Sequence, residues 1–145
     1  MSETKRPVRI ANCSGFFGDR LAAAKEQVEG GPIDVLTGDW LAELTMLILA
    51  RQRLKGGEGS GWAATFGKQM EQVLGTCLDR GIKIVSNAGG LDPKGCADAI
   101  RAKADEAGLG HVKIAYITGD DLMPNLSELR GDGEPLLNLD TGEDL

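Results

Sequence analysis

Four short apolar runs rich in Val and Ile, separated by stretches of helical periodicity, constrain this chain more than any other feature. The runs are residues 8–11, 33–36, 82–85 and 112–117. Each has strand length and none alternates cleanly, which predicts strands covered on both faces. Between them, residues 21–28 carry a weakly amphipathic helical pattern. Over 40–54, Trp40, Leu41, Leu44, Leu47 and Ile48 recur at helical spacing, and Met46 and Leu49 widen that face enough to predict a buried or interfacial helix. A third helix is expected over 62–80, with Trp62, Phe66, Met70, Val73, Leu74 and Cys77 as its buried stripe and Gly81 as its stop. A fourth is expected over 93–107, ending at Gly108. Strands alternating with helices pair in parallel through right-handed crossovers. The expected fold is α/β: an open, mainly parallel sheet of at least four strands flanked by helices, of the Rossmann-like kind.

The 145 residues suffice for one domain. Aromatic content of 4% argues against an antiparallel sandwich rich in Tyr and Trp, so the core is built from Leu, Ile, Val and Ala. Gly is abundant at 21 residues without a collagen-like period, which assigns it to loops; residues 55–61, with four glycines, read as one such loop. Residues 120–145 hold eight acids and one base, whereas 1–119 are nearly neutral. The division expected is an α/β domain over 1–130 and an acidic, turn-rich tail over 131–145 that looks like a truncated continuation. Without a basic stripe, nucleic acid is not an expected partner. Three cysteines, an odd number without C-x-x-C spacing, fit a reduced intracellular protein. The polar start has no apolar signal core, and the longest apolar run, 46–50, is too short to span a bilayer. A cytoplasmic protein with no membrane contact is expected.

The loop behind each run bears on function. The first run leads into Asn12-Cys13-Ser14-Gly15-Phe16-Phe17-Gly18-Asp19, the second into Thr37-Gly38-Asp39. The third leads into Asn87-Ala88-Gly89-Gly90-Leu91-Asp92-Pro93, the fourth into Thr118-Gly119-Asp120-Asp121. In a parallel sheet these loops share the carboxyl edge, where open α/β folds bind ligands. The opposite edge shows no such enrichment. Glycines let backbone N–H groups approach a ligand, and helix N-termini favour anions. The ligand-binding set expected is therefore Asn12, Ser14, Gly15, Gly18, Asp19, Thr37, Gly38, Asn87, Ala88, Gly89, Gly90 and Gly119, facing a small anionic ligand. The first loop is neither the G-x-G-x-x-G fingerprint nor a P-loop, and its glycines also fit plain strand-to-helix turns.

Asp19, Asp39, Asp92 and Asp120 admit a Mg²⁺ reading. Each of the first three also fits a helix cap, Asp92 before Pro93 best of all. Asp39, Asp120 and Asp121 are the candidates for a base or metal ligand. Cys13 lies where a thiol pKa can fall, and equally fits a small buried residue. Ser14 needs a general base; the single histidine, His111, precedes the fourth run at the far edge, so no Ser–His or Cys–His pair is expected. Cys77 and Cys96 read as packing.

Residues 12–20, 31–46, 86–93 and 138–143 resemble the N-terminal part of the acyclic terpene utilisation family, over a match from about residue 8 to the last residue. The resemblance implies a role in the breakdown of acyclic terpenols such as citronellol and geraniol, a route that passes through branched acyl-CoA thioesters. Members of the family are longer, so the chain is expected to be a truncated product, split subunit or fragment. Two functions are open on this basis. One is an enzyme or enzyme subunit holding a CoA-linked branched acid at the carboxyl edge. The other is a non-catalytic binding or assembly module, in which the sheet edge and second helix meet another copy or a complementary subunit. A nucleotide-binding domain is a third reading, by fold analogy alone.

Overall fold

The computed structural model describes residues 6–56, 61–131, 133 and 135–144. Most of the expected glycine loop, at 57–60, and parts of the expected tail, at 132, 134 and 145, lie outside the described residues. Three strands form the sheet: β1 (Ile10–Asn12), β2 (Val35–Gly38) and β3 (Lys83–Ser86). All pair in parallel, in the order β1-β2-β3. The helices are α1 (Ala23–Glu29), α2 (Glu43–Leu54), α3 (Ala64–Arg80), α4 (Pro93–Glu106) and a single turn, α5 (Leu126–Leu129), preceded by a 3-10 turn at Met123–Asn125.

The two longest helices are explained by local chemistry. The buried stripe of α3 is Phe66, Met70, Val73, Leu74 and Cys77, and Gly81 closes it in the left-handed conformation at φ 65°. Only glycine takes that conformation without steric cost. Helix α4 starts with Asp92 accepting from the Gly95 N–H at 2.9 Å and Pro93 in the first position. Asp92 is thus the cap that its sequence context suggests.

Helices α1 and α3 pack on each other and on the strands, and α4 packs on α3. The core between them and the sheet holds Ala11, Leu36, Val28, Val73, Ile100 and the Trp40 ring. Each larger aliphatic side chain buried here contributes about 1.5–3 kcal/mol. Register assigns the two faces. Ala11 and Leu36 turn toward the helices with Ile84, while the rows Ile10–Val35–Lys83 and Asn12–Thr37–Val85 turn away. Ile10 is 66% exposed and Val85 59%. The sheet is therefore covered on one side, not both. The strands are three or four residues long, and runs that short do not distinguish alternation from continuous burial.

The fourth expected strand is absent from the sheet. Residues 112–117 form no strand; Val112 and Ile114 rest against the core, while Tyr116 and Ile117 are exposed. An apolar run becomes a strand only where a neighbour accepts its backbone, and this one joins no ladder. The second helix is likewise less buried than its composition suggests. Thr45 and Leu49 are buried, whereas Leu44, Leu47 and Leu54 face solvent.

At the amino edge, the Asp34 carboxylate accepts two hydrogen bonds from Arg6, at 2.8 and 2.6 Å, and one from the Arg9 N–H at 2.8 Å. This fork fastens the segment entering β1 to the start of β2, and Arg6 holds the Asp34 carboxyl well below the ordinary carboxylate range. Beyond residue 130 the chain closes a small hairpin through a Leu137–Asp144 bridge. The Asn138 side chain accepts from the Asp140 and Thr141 N–H groups at its tip, at 2.9 and 3.0 Å. Among the described residues, no helix is long and apolar enough to cross a membrane.

Candidate functional site

Three of the four expected loops meet at the carboxyl edge. The Cys13 N–H donates to the Thr37 carbonyl at 2.8 Å, and the Asp39 N–H to the Ser14 carbonyl at 2.9 Å. Asn87 then bridges the second and third loops. Its Oδ1 accepts from the Trp40 N–H at 2.9 Å, and its Nδ2 donates to Asp39 Oδ1 at 2.7 Å. Asp39 Oδ1 also accepts from the Leu41 N–H at 3.2 Å. The Asn87 amide and the Leu41 N–H lower the Asp39 pKa, so this exposed group is a carboxylate at neutral pH. It is a good hydrogen-bond acceptor and a weak base.

The loop after β1 is closed on itself. Asp19 Oδ2 accepts from the Gly15 N–H at 2.9 Å, and Oδ1 from the Arg20 N–H at 2.6 Å. These bonds lower its pKa, and they make Asp19 a loop tie, since the residue at the N-cap of α1 is Ala22. The N–H group expected to meet a ligand anion at Gly15 thus meets the chain's own carboxylate. Similarly, the Ala88 N–H donates to Ser86 Oγ at 2.8 Å and the Gly90 N–H to the Asn87 carbonyl at 3.2 Å. Gly18 lies open to solvent at φ 86°.

Other expected site residues serve packing. A Cβ on Gly38 would come within 2.5 Å of the Trp40 ring, and one on Gly90 within 2.7 Å of Leu49 Cδ1 and the Gly61 carbonyl. Gly89 sits against Pro93, and Ala88 is fully buried. Asn12 and Thr37 share the uncovered sheet face with Val85. Ser14 is buried, its hydroxyl donating to the Phe16 carbonyl at 3.1 Å. Cys13 is buried as well, and burial raises its thiol pKa. That is the packing alternative, opposite to what a nucleophile needs.

Asp120 and Asp121 stand apart. Both are exposed on the unpaired segment after residue 117, beside Gly119, and Asp121 Oδ1 accepts from the Met123 N–H at 3.0 Å at the start of the 3-10 turn. Because residues 112–117 join no sheet, nothing carries these acids to a strand end. No group of three or more His, Cys, Asp or Glu side chains is arranged to hold a metal ion among the described residues. Asp39 is the one carboxylate of the Ser14–Asp39–Asn87 network, and its Oδ1 already accepts from the Asn87 amide and the Leu41 N–H.

One residue at this rim escapes sequence reasoning. Arg53, near the end of α2, donates from Nη1 to the Leu91 carbonyl at 2.6 Å and runs its side chain past Gly61. It places a cation on the loop that carries Asn87 at its other end. Read from the sequence, it is only a basic residue in a last helical turn, where such residues are ordinary.

No curated protein and no solved structure shows significant similarity to the chain. Residues 8–145 match the family described as acyclic terpene utilisation family protein AtuA. That span takes in all three strands, the Ser14–Asp39–Asn87 network and the hairpin of the tail. The chain belongs to the acyclic terpene utilisation family.

Proposed function

We propose that this chain serves acyclic terpene utilisation by binding a branched acid or its CoA thioester at the carboxyl edge of the sheet. The observation that carries this reading is the hydrogen-bonded seam Ser14–Asp39–Asn87, which gathers the loops after all three strands. Family membership supplies the substrate class. In this reading the ligand's anionic group pairs with Arg53, and its hydroxyl or amide groups donate to Asp39. A phosphate or carboxylate placed directly on Asp39 or Asp19 would be repelled, which sets the orientation. The turn from Gly15 to Gly18 beside it offers the exposed Phe16 ring to the apolar part of the ligand. Asp39 holds the ligand as an acceptor, and no proton transfer is assigned to it.

The test is thermal shift followed by calorimetry on the full chain, with CoA, branched acyl-CoAs, the free acids and nucleotides as separate arms. A ligand at a hundred times its Kd adds about 2.7 kcal/mol of stability. Branched acyl-CoA or acid should raise the melting temperature, and Arg53→Ala and Asp39→Asn should each weaken binding. Silence in every arm, a response to nucleotides alone, or affinity unchanged in both variants refutes the proposal.

A further inference from the structure

We infer that the uncovered face of the sheet is the docking surface for the acidic hairpin of a second copy of this chain. The face carries Ile10, Val35, Thr37 and Val85, with Val8 exposed ahead of it. Its border is cationic: Lys83 lies in the outward row, and Arg6 and Arg9 share the single carboxylate of Asp34. A bare apolar surface with a charged rim marks an interaction site.

The matching surface lies at the other end of the same chain. The hairpin, residues 136–144, carries Asp140, Glu143 and Asp144 and no base of its own, and Asp144 pairs with Arg130 just ahead of it. The hairpin closed by Leu137 and Asp144 is already folded, with Leu136 and Leu137 exposed and Leu139 102% exposed at its tip. Leucines among carboxylates match valine and isoleucine among Lys and Arg in both polarity and sign. Ile10 and Val85 on the sheet and Leu137 and Leu139 on the hairpin all stay exposed, so the hairpin does not cover its own sheet. A second copy carries the matching hairpin, and reciprocal docking of two hairpins on two sheets closes a symmetric pair. This inference is independent of the ligand at the carboxyl edge.

Sedimentation equilibrium of the full chain tests it. A reversible dimer is expected, weakened by salt. Val85→Asp on the sheet and Leu139→Asp on the hairpin replace exposed side chains, so each should keep the wild-type melting temperature in dilute solution. Each should also weaken dimerisation roughly thirtyfold, the factor that about 2 kcal/mol represents. The two substitutions lie on different surfaces, so a folding defect in one leaves the other to decide. A chain that stays monomeric overturns the inference, whether its own hairpin or another protein covers the face. So does a dimer that survives either substitution.

Discussion

Gly38→Ala separates a packing glycine from a ligand glycine. Gly38 ends β2 at the rim of the candidate site, but it is buried and has no positive φ. Alanine therefore meets no backbone penalty there, and only space opposes it. Its Cβ would lie 2.5 Å from two ring carbons of Trp40 and 3.1 Å from Ser14 Cβ. Carbon atoms prefer about 3.5–4 Å, so the ring must move. Trp40 is 2% exposed and stands edge-on to Phe66, with centroids 5.1 Å apart at 72°. Forcing one methyl into so packed a place costs about 1–3 kcal/mol. At about 2–4 °C per kcal/mol, the melting temperature should fall by about 2–12 °C. Urea titration followed by tryptophan fluorescence measures the loss. The decisive control is the same change in a Trp40→Leu background, where the obstructing ring is gone and most of the added cost should vanish. If the full cost persists there, or if Gly38→Ala is as stable as the parent, the steric reasoning is wrong.

The Asp34 carboxyl has its pKa depressed in the folded state, so its stabilisation is complete above the ordinary carboxylate value and fades as pH falls through the depressed one. Asp34→Asn should therefore lower the urea midpoint at neutral pH, with the gap closing toward about pH 2; a gap that does not change with pH refutes the linkage. Burial raises the thiol pKa of Cys13, Cys77 (to about 11) and Cys96 (to about 12), so a thiol reagent at about pH 8 should label the chain only after denaturant is added. Prompt labelling of the native chain contradicts that burial. Gln69 is 1% exposed, with Oε1 unpartnered and Nε2 donating over 3.4 Å to the Arg20 carbonyl. Gln69→Met should leave stability unchanged or raise it by about 1 kcal/mol, because an unmet buried acceptor disappears; a clear loss in thermal unfolding shows that the amide is satisfied.

Much of the scaffold is legible in the residues because its determinants are local. The stripe of α3, the left-handed Gly81 and the Asp92–Pro93 cap each need only their own neighbours in sequence. The three strands are legible within two residues of their ends for the same reason. Residues 112–117 are not, because hydropathy describes one strand and pairing requires two. Topology brings three of the four expected loops to the edge, the fourth failing with its strand, and the internal bonds of all of them are invisible to composition. Nothing in Ser14-Gly15-Phe16-Phe17-Gly18-Asp19 shows that Asp19 folds back onto Gly15. Nor does the sequence show that Asn87 crosses to Asp39, or that Arg53 reaches Leu91. These contacts depend on how separate loops lie in space.

The sheet runs β1-β2-β3 without doubling back. Where strand order reverses, neighbouring strands send their connections to opposite sides, and the parting leaves a crevice at their carboxyl ends. Here the connections lie on one side, and Asn87 laces the rim to Asp39. A strand joining beyond β1, with its helix laid across the bare side, would create such a parting next to Ser14. One joining beyond β3 would only lengthen the row. The edge that accepts a newcomer thus decides whether the Ser14 loop becomes the mouth of a cleft or stays part of an open rim.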